Sequence, residues 1–182
     1  AILHNAERLT DMVSSLLDLS RIEYGELKLN FEEINLNSFI NKYIQSISNL
    51  SKKKGIKVIF KSNHKGTINA DLQAIERIMD NLIDNAIKYS EKGSDITIST
   101  VNDSKGYIKV MIKDQGEGIA DEDINHIFSR FYRTASARAT ENHGSGLGLA
   151  IVKHLVNNLN GEVGIESQPQ KGSTFWFTVP CV

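Results

Sequence analysis

Asp114 is followed by two glycines in the order Asp114-Gln115-Gly116-Glu117-Gly118-Ile119. An ionised carboxylate only accepts hydrogen bonds, and glycine lets the backbone approach a flat ring without a side-chain clash. That combination suits an adenine pocket, with Asp114 accepting from the exocyclic amine. Alone, the hexapeptide reads equally well as a strand ending in a tight turn. Three further groups supply the rest of a nucleotide's chemistry. Asn81 and Asn85 stand one turn apart in a helical pattern, where asparagine is a mediocre helix former. Their amide oxygens suit a Mg2+ ion that keeps several waters and sits on phosphates: Asn85 first, Asn81 as a second ligand. Lys88, on the same arc, supplies positive charge. Gly144-Ser145-Gly146-Leu147-Gly148-Leu149 opens a helix, and N–H groups at a helix start favour phosphate. Arg130 and Arg133 lie shortly upstream. The second glycine group matches a dinucleotide fingerprint by pattern, but no strand directly precedes it, so that reading is rejected.

The elements that must hold these groups follow from periodicity. Residues 1–24 read as one helix: Ile2, Leu9 and Leu16 repeat every seven, with Ala6 and Val13 between them, as in the seam of a helical bundle. Leu27, Leu29 and Phe31 alternate as in a strand. Asn35 or Asn37 caps a helix with a buried stripe of Phe39, Ile40, Tyr43, Ile44, Ile47 and Leu50. Its lysine run, Lys52 to Lys54, reads as a solvated helix end before Gly55. Ile56, Val58 and Phe60 mark a strand, residues 62–66 a turn, and 67–70 a short strand. Asp71 caps the helix that carries Asn81, Asn85 and Lys88 and runs to Tyr89; Leu72, Ile75, Met79, Leu82, Ile83 and Ala86 form its apolar arc. Strands are expected over 95–101 and 107–113, joined as a hairpin, with Ile108, Val110 and Ile112 on one face. A short helix over 121–127 precedes a segment, Thr134 to His143, without apolar period, expected to be a mobile loop. A helix to Leu159 and two strands, 162–167 and 173–179, close the chain.

The chain has 182 residues and a net charge of −1, which excludes a broad nucleic-acid or anionic-membrane footprint. Its length fits one domain, or one with an appendage. A single cysteine, Cys181, makes no internal disulfide and fits a reducing compartment. No signal peptide or membrane-spanning run is visible. The chain starts at Ala1 without a methionine and reads as a piece of something longer.

Five groups in order resemble the catalytic and ATP-binding domain of bacterial sensor histidine kinases. Residues 81–89 resemble that family's Asn box and 114–119 its first glycine box. Residues 127–133 resemble the Phe box, 144–151 the second glycine box, and Gly172-Ser173-Thr174-Phe175 the closing element. The resemblance spans essentially the whole chain. Ser145 stands where the family often has Thr. It implies an α+β fold: a two-layer sandwich with a mixed sheet and helices on one face, preceded by an N-terminal bundle helix. Residues 1–24 would be the C-terminal part of a dimerisation and phosphoacceptor domain, and 25–182 the catalytic domain. ATP and Mg2+ would be the cofactors.

The implied site adds Tyr89, Gly116, Gly118, Ile119 and Thr174 to the residues above. Asn81, Asn85 and Lys88 would act in catalysis, and residues from about Arg130 to Ser145 would form a lid over ATP. Implied partners are the chain's own dimerisation domain, as a homodimer in the full-length protein, and a response regulator, with no nucleic acid. The implied setting is the cytoplasmic part of a membrane-anchored sensor, touching membrane only through regions absent from this sequence.

One departure stands out. The family's acceptor histidine precedes an acid, with a proline a few residues on, whereas His4 precedes Asn5 and the only prolines are Pro169 and Pro180. The fragment is therefore expected to lack its acceptor and not to label itself. His126, His143 and His154 read as structural. Two alternatives of the same fold are a clamp-type ATPase and a non-catalytic nucleotide-sensing module. The clamp ATPases place a glutamate base four residues before the metal-binding Asn. Asn81 stands there instead, and an amide cannot act as that base. Small serine kinases that regulate sigma factors lack the leading bundle helix.

Overall fold

The computed structural model describes residues 10, 12–14, 16, 17, 19, 20, 28–64, 66–103, 105–139 and 144–182. His4, Asn5 and His143 lie outside the described residues. Between 10 and 20 every described position is helical, and this segment is α1. Of the expected seam, Val13 and Leu16 are exposed, as is Leu17, while Leu19 is buried and Met12 packs against the core. Residues 12 and 19, two turns apart, therefore dock α1 on the domain, while Val13 and Leu16, the described residues of the seam, stay outside; Ile2, Ala6 and Leu9 lie outside the described residues.

The alternation at 27–31 does not make a strand. Residues 28–31 have no regular structure, and β1 is Glu32–Ile34. Its partner decides this: β1 pairs antiparallel with β3 (Ile68–Ala70), Glu32 opposite Ala70. The Asn30 N–H goes instead to the Asp71 carboxylate at 2.7 Å. A period-two pattern without a neighbouring strand leaves backbone groups unpaired and is overridden.

Asn35 caps α2 (Leu36–Lys53), accepting from the Ser38 N–H at 2.9 Å. Leu50, expected in the buried stripe, is 52% exposed, and Ser51 is buried in its place. Ser51 returns to the face of Ile40 after about three full turns, while Leu50 falls a residue short of it. Nor is the lysine run wholly solvated. The Lys54 ammonium donates to the carbonyls of Ile87 and, at 2.7 Å, Lys88. These belong to the last turn of α3 (Leu72–Tyr89), whose end carbonyls have no partners within the helix. Burial there lowers the Lys54 pKa.

Asp71 caps α3 with a 2.8 Å bond from the Ala74 N–H. Ile75, Met79, Leu82, Ile83 and Ala86 are buried as the arc predicts, but Leu72, in the first turn, is 37% exposed. The main sheet has the order β2 (Lys57–Asn63), β4 (Asp95–Asp103), β5 (Tyr107–Lys113), β7 (Ser173–Pro180), β6 (Val163–Ser167). Residues 62 and 63, expected in a turn, extend β2. β2 runs parallel to β4 and every other pairing is antiparallel. Ile98, Val110 and Phe177 mark the fully buried face of the sheet, which α3 and α6 (Gly148–Asn158) cover. The opposite face carries Trp176, with the Lys109 ammonium 4.0 Å above its ring. The fold is the expected two-layer α+β sandwich with a mixed sheet.

Two short helices complete it. α4 is Asp121–Ile124, with turns where its continuation to Ile127 was expected. α5, Ala135–Ala139, lies in the segment expected to be a loop. Its bonds are local: the Ala137 N–H to Thr134 Oγ1 at 3.1 Å, and the Arg133 guanidinium to the Ala137 carbonyl. A polar cap followed by alanines is a helix signal that apolar periodicity does not register.

Candidate functional site

A cleft of about 460 Å³ opens between α3, the loop after β5, residues 127–137 and the start of α6. Asn81, Asn85, Lys88, Tyr89, Asp114, Gly118, Ile119, Arg133, Gly144, Ser145, Gly146 and Gly148 all line it. Residues from both glycine groups and the Asn pair therefore converge, although they are far apart in sequence. Four expected residues do not line it. Arg130 is exposed on the turn before the cleft. Leu147 is fully buried in the core. Thr174 points to the other face of β7, because side chains alternate along a strand, and its neighbours Ser173 and Phe175 line the cleft instead. Gly116 packs against α3: a Cβ there would lie 2.4 Å from the Tyr89 carbonyl oxygen. Gly118, at φ +71°, is pressed against the turn after β6, with 2.0 Å from a Cβ to the Gln168 carbonyl oxygen. Both glycines serve close approach of backbone to backbone.

Asp114 ends β5 almost wholly buried. Its Oδ1 accepts from the Gly116 N–H at 2.9 Å and the Ser173 N–H at 3.0 Å. Both bonds fall on one oxygen, and Oδ2 takes no hydrogen bond among the described residues. Burial raises the carboxyl's pKa, and the two N–H bonds work against that rise. The arrangement fixes the plane of the carboxylate and leaves one acceptor for a donor in the cleft.

On α3 the two asparagines differ. The Asn81 amide donates to the Arg77 carbonyl at 2.8 Å, and its oxygen lies 2.6 Å from where a Gly148 Cβ would stand. Asn81 thus fits α3 against the start of α6. Asn85 makes no hydrogen bond among the described residues and lines the cleft with its amide uncommitted. Lys88 pairs with Asp84 at 2.6 Å. Asp84 also lines the cleft and was not among the expected site residues. The first turn of α6 has no side-chain cap, and its Gly148 and Leu149 line the cleft together with Gly144 to Gly146.

Tyr132, Thr134 and Ala137, within the span expected as a lid, also line the cleft, and so do Met12, Glu117, Ile127, Leu149, Ser173 and Phe175, which were not singled out as site residues. Most are apolar or small, and nothing in their type separates them from core. Tyr132 is braced by Asp123, its hydroxyl 2.5 Å from the carboxylate, and by the ring of His126 at 5.5 Å. No group of three or more His, Cys, Asp or Glu among the described residues could hold a metal. A cation here would rest on the Asn85 amide oxygen, waters and ligand phosphates, a donor set that suits Mg2+.

Residues 70–182 match the family of histidine kinase-, DNA gyrase B- and HSP90-like ATPases. The chain belongs to this family. Within it, the similarity runs to sensor histidine kinases. The chain is 33% identical over 175 residues to the sensor-like histidine kinase SenX3 of Mycolicibacterium smegmatis, covering 96% of this chain and 45% of that protein. It spans less than half the length of that relative. Among solved structures, the histidine kinase AdeS of Acinetobacter baumannii superposes with a TM-score of 0.80 at 27% identity, over 98% of this chain and 81% of that one. The histidine kinase ThkA, solved in complex with the response regulator protein TrrA, gives 0.78 at 26% identity, over 100% of this chain and 49% of that one. The residues that resemble the Asn box lie on α3, those that resemble the first glycine box after β5, and those that resemble the second at the start of α6.

Proposed function

We propose that this chain binds Mg-ATP and acts as the catalytic domain of a two-component sensor histidine kinase, moving the γ-phosphoryl group to a histidine on a dimerisation domain. The observation that carries the reading is Asp114: buried, fixed through Oδ1, with Oδ2 left for the adenine amine. Asn85 would hold Mg2+, which neutralises phosphate charge when bound. The start of α6, Lys88 and Arg133 would take the phosphates. Asn81 would act in catalysis only indirectly, by fitting α3 to α6. Hydrolysis by a clamp mechanism is disfavoured, since an amide cannot activate water as a base and Asn81 is already bonded to backbone.

Residues 1–24 would end the dimerisation domain and 25–182 form the catalytic one. The exposed Val13, Leu16 and Leu17 on α1 support a helical bundle completed by a second copy. A response regulator is the proposed downstream partner, by analogy with the complex of ThkA. No described helix is long and apolar enough to cross a membrane; attachment to one would come from other parts of a longer protein.

Transfer needs the acceptor nitrogen in line with phosphorus at roughly 3–3.5 Å. His4 lacks the neighbouring acid that would orient it, so the fragment should bind ATP without labelling itself. Incubation with γ-labelled ATP, alone and with a separate acceptor domain, tests this. Slow acid-labile labelling of the added domain only is expected. Label on the fragment that disappears in His4→Gln would make His4 the acceptor. ATP binding without any transfer would favour the nucleotide-sensing alternative.

A further inference from the structure

Ser167, the last residue of β6, is not among the residues that line the cleft, yet two segments of its base end meet on its hydroxyl. The Ile119 N–H donates to Ser167 Oγ at 2.9 Å. The same oxygen lies 3.1 Å from the Gly172 carbonyl and 2.9 Å from Ser173 Oγ. A serine hydroxyl has one proton and two lone pairs. With its proton on the Gly172 carbonyl, Ser167 accepts from both Ile119 and the Ser173 hydroxyl, and its capacity is filled. Ile119 and Ser173 do line the cleft. Ser173 is also the residue whose N–H fixes Asp114 Oδ1. The turn that follows Ser167 bonds the same loop again, through the Gln170 N–H to the Glu117 carbonyl at 2.6 Å.

We propose that Ser167 is a positioning residue for base selectivity: it sets the spacing between Ile119 and the Asp114–Ser173 pair. The inference rests on the adenine reading above. Adenine offers an amine to a carboxylate, whereas guanine offers a carbonyl at the same ring position, which a carboxylate repels. The discrimination requires that the ring cannot slide away from Asp114. With Ser167 Oγ removed, Ile119 and Ser173 each lose a hydrogen-bond partner and the loop can drift from β7. Adenine then loses its short bond, while guanine is freed to shift off the carboxylate.

The test is calorimetric titration of the chain and Ser167→Ala with Mg2+ and three probes: a non-hydrolysable ATP analogue, its GTP counterpart and inorganic triphosphate. One hydrogen bond's worth of misplacement predicts an ATP affinity about five- to tenfold lower. GTP and triphosphate affinities should stay within about twofold, since their binding energy is electrostatic and lies at the other end of the cleft. Ser167→Thr keeps the hydroxyl and should restore the ATP preference. Equal weakening for ATP and GTP, or an unchanged ATP:GTP ratio, would overturn the proposal and leave Ser167 a structural serine. Should the alanine variant not fold, Ser167→Cys, close in shape with a weak acceptor, gives the same decision: a lowered ratio supports the role and an unchanged one overturns it. A wild-type chain without preference for ATP over GTP would overturn the adenine reading itself, and this inference with it.

Discussion

At the base end of the cleft, main chain lies on main chain. Gly116 touches the end of α3, Gly118 touches the turn after β6, and neither has room for a Cβ. At the phosphate end the main chain meets, among the described residues, only at one point, where the Phe131 N–H bonds the Gly146 carbonyl at 2.9 Å and a Gly146 Cβ would lie 2.8 Å from the Phe131 backbone; residues 133–139 beyond it are held largely by side chains. Arg133 reaches the Ala137 carbonyl, Thr134 caps Ala137, and the Arg138 side chain returns to the Arg133 carbonyl at 3.0 Å. Phe131 sits at φ +60° and is 56% exposed, a conformation that costs of order 1–3 kcal/mol for a bulky residue. Backbone contacts between strand ends cannot change without moving the sheet. Side-chain bonds on a five-residue helix can be exchanged one at a time. On the proposed reading the two ends would have distinct tasks: the rigid one would discriminate the base, and the adjustable one would trade its internal bonds for phosphate contacts.

The sharpest way to break this contrast is to add one methyl group at each end. Gly118→Ala would place a Cβ against the Gln168 carbonyl in a backbone conformation that alanine rarely adopts. A stability loss of about 2–4 kcal/mol is expected in denaturant unfolding. Gly144→Ala meets nothing within 4 Å and should shift stability by less than about 0.5 kcal/mol. Equal losses would mean that both ends are equally tight.

Next in size is the carboxylate itself. Asp114→Asn replaces an acceptor by a group that is both donor and acceptor. It should weaken ATP by about 1.5–3 kcal/mol, tenfold or more in Kd by calorimetry. The pH dependence has a defined sign. Burial raises the Asp114 pKa, so the carboxylate is lost at a higher pH than an ordinary Asp. ATP affinity should therefore fall on acidification while the same protonation favours the folded state, since the folded carboxyl takes its proton first. Affinity that tracks stability downward would contradict this.

A smaller effect is expected at the phosphate end. Arg133→Gln removes a charged donor from α5, and cleavage by trypsin after Arg138 should become several-fold faster, as for loss of about 1 kcal/mol. Saturating Mg-nucleotide should slow that cleavage in the wild type. Identical rates with and without nucleotide would count against exchange of lid bonds for phosphate contacts.

The smallest effect isolates the acid response of the rest of the molecule. His64 is buried, with Nδ1 2.8 Å from Thr100 Oγ1 and no partner for Nε2 among the described residues. Burial lowers its pKa, so the unfolded chain takes up this proton first. Stability is full above the ordinary histidine value and is lost as pH falls through it. Stability is therefore expected to fall as pH drops below the ordinary histidine value, a loss that His64→Gln should remove without altering ATP affinity at neutral pH.

Local chemistry wrote much of this fold into the sequence. Asp71 as a cap and a 3.6-residue apolar arc fix α3, and alternation fixes β5 and β7. Residue types at Asp114, Asn85 and Lys88 announced the nucleotide chemistry before any contact was known. Those signals depend on neighbours a few residues away. What the tertiary structure decided depends on distant ones. A strand at 27–31 failed because its partner lies elsewhere, and Leu50 gave way to Ser51 because the angle to the sheet is set by packing. Asn81 was taken up by α6 and Thr174 by the far face of β7. Ser167 acquires its partners from residues 119, 172 and 173, and no periodicity or propensity carries information about a hydroxyl saturated across that distance. Side-chain type determines which bonds a residue can make; only the fold determines which atoms are within reach.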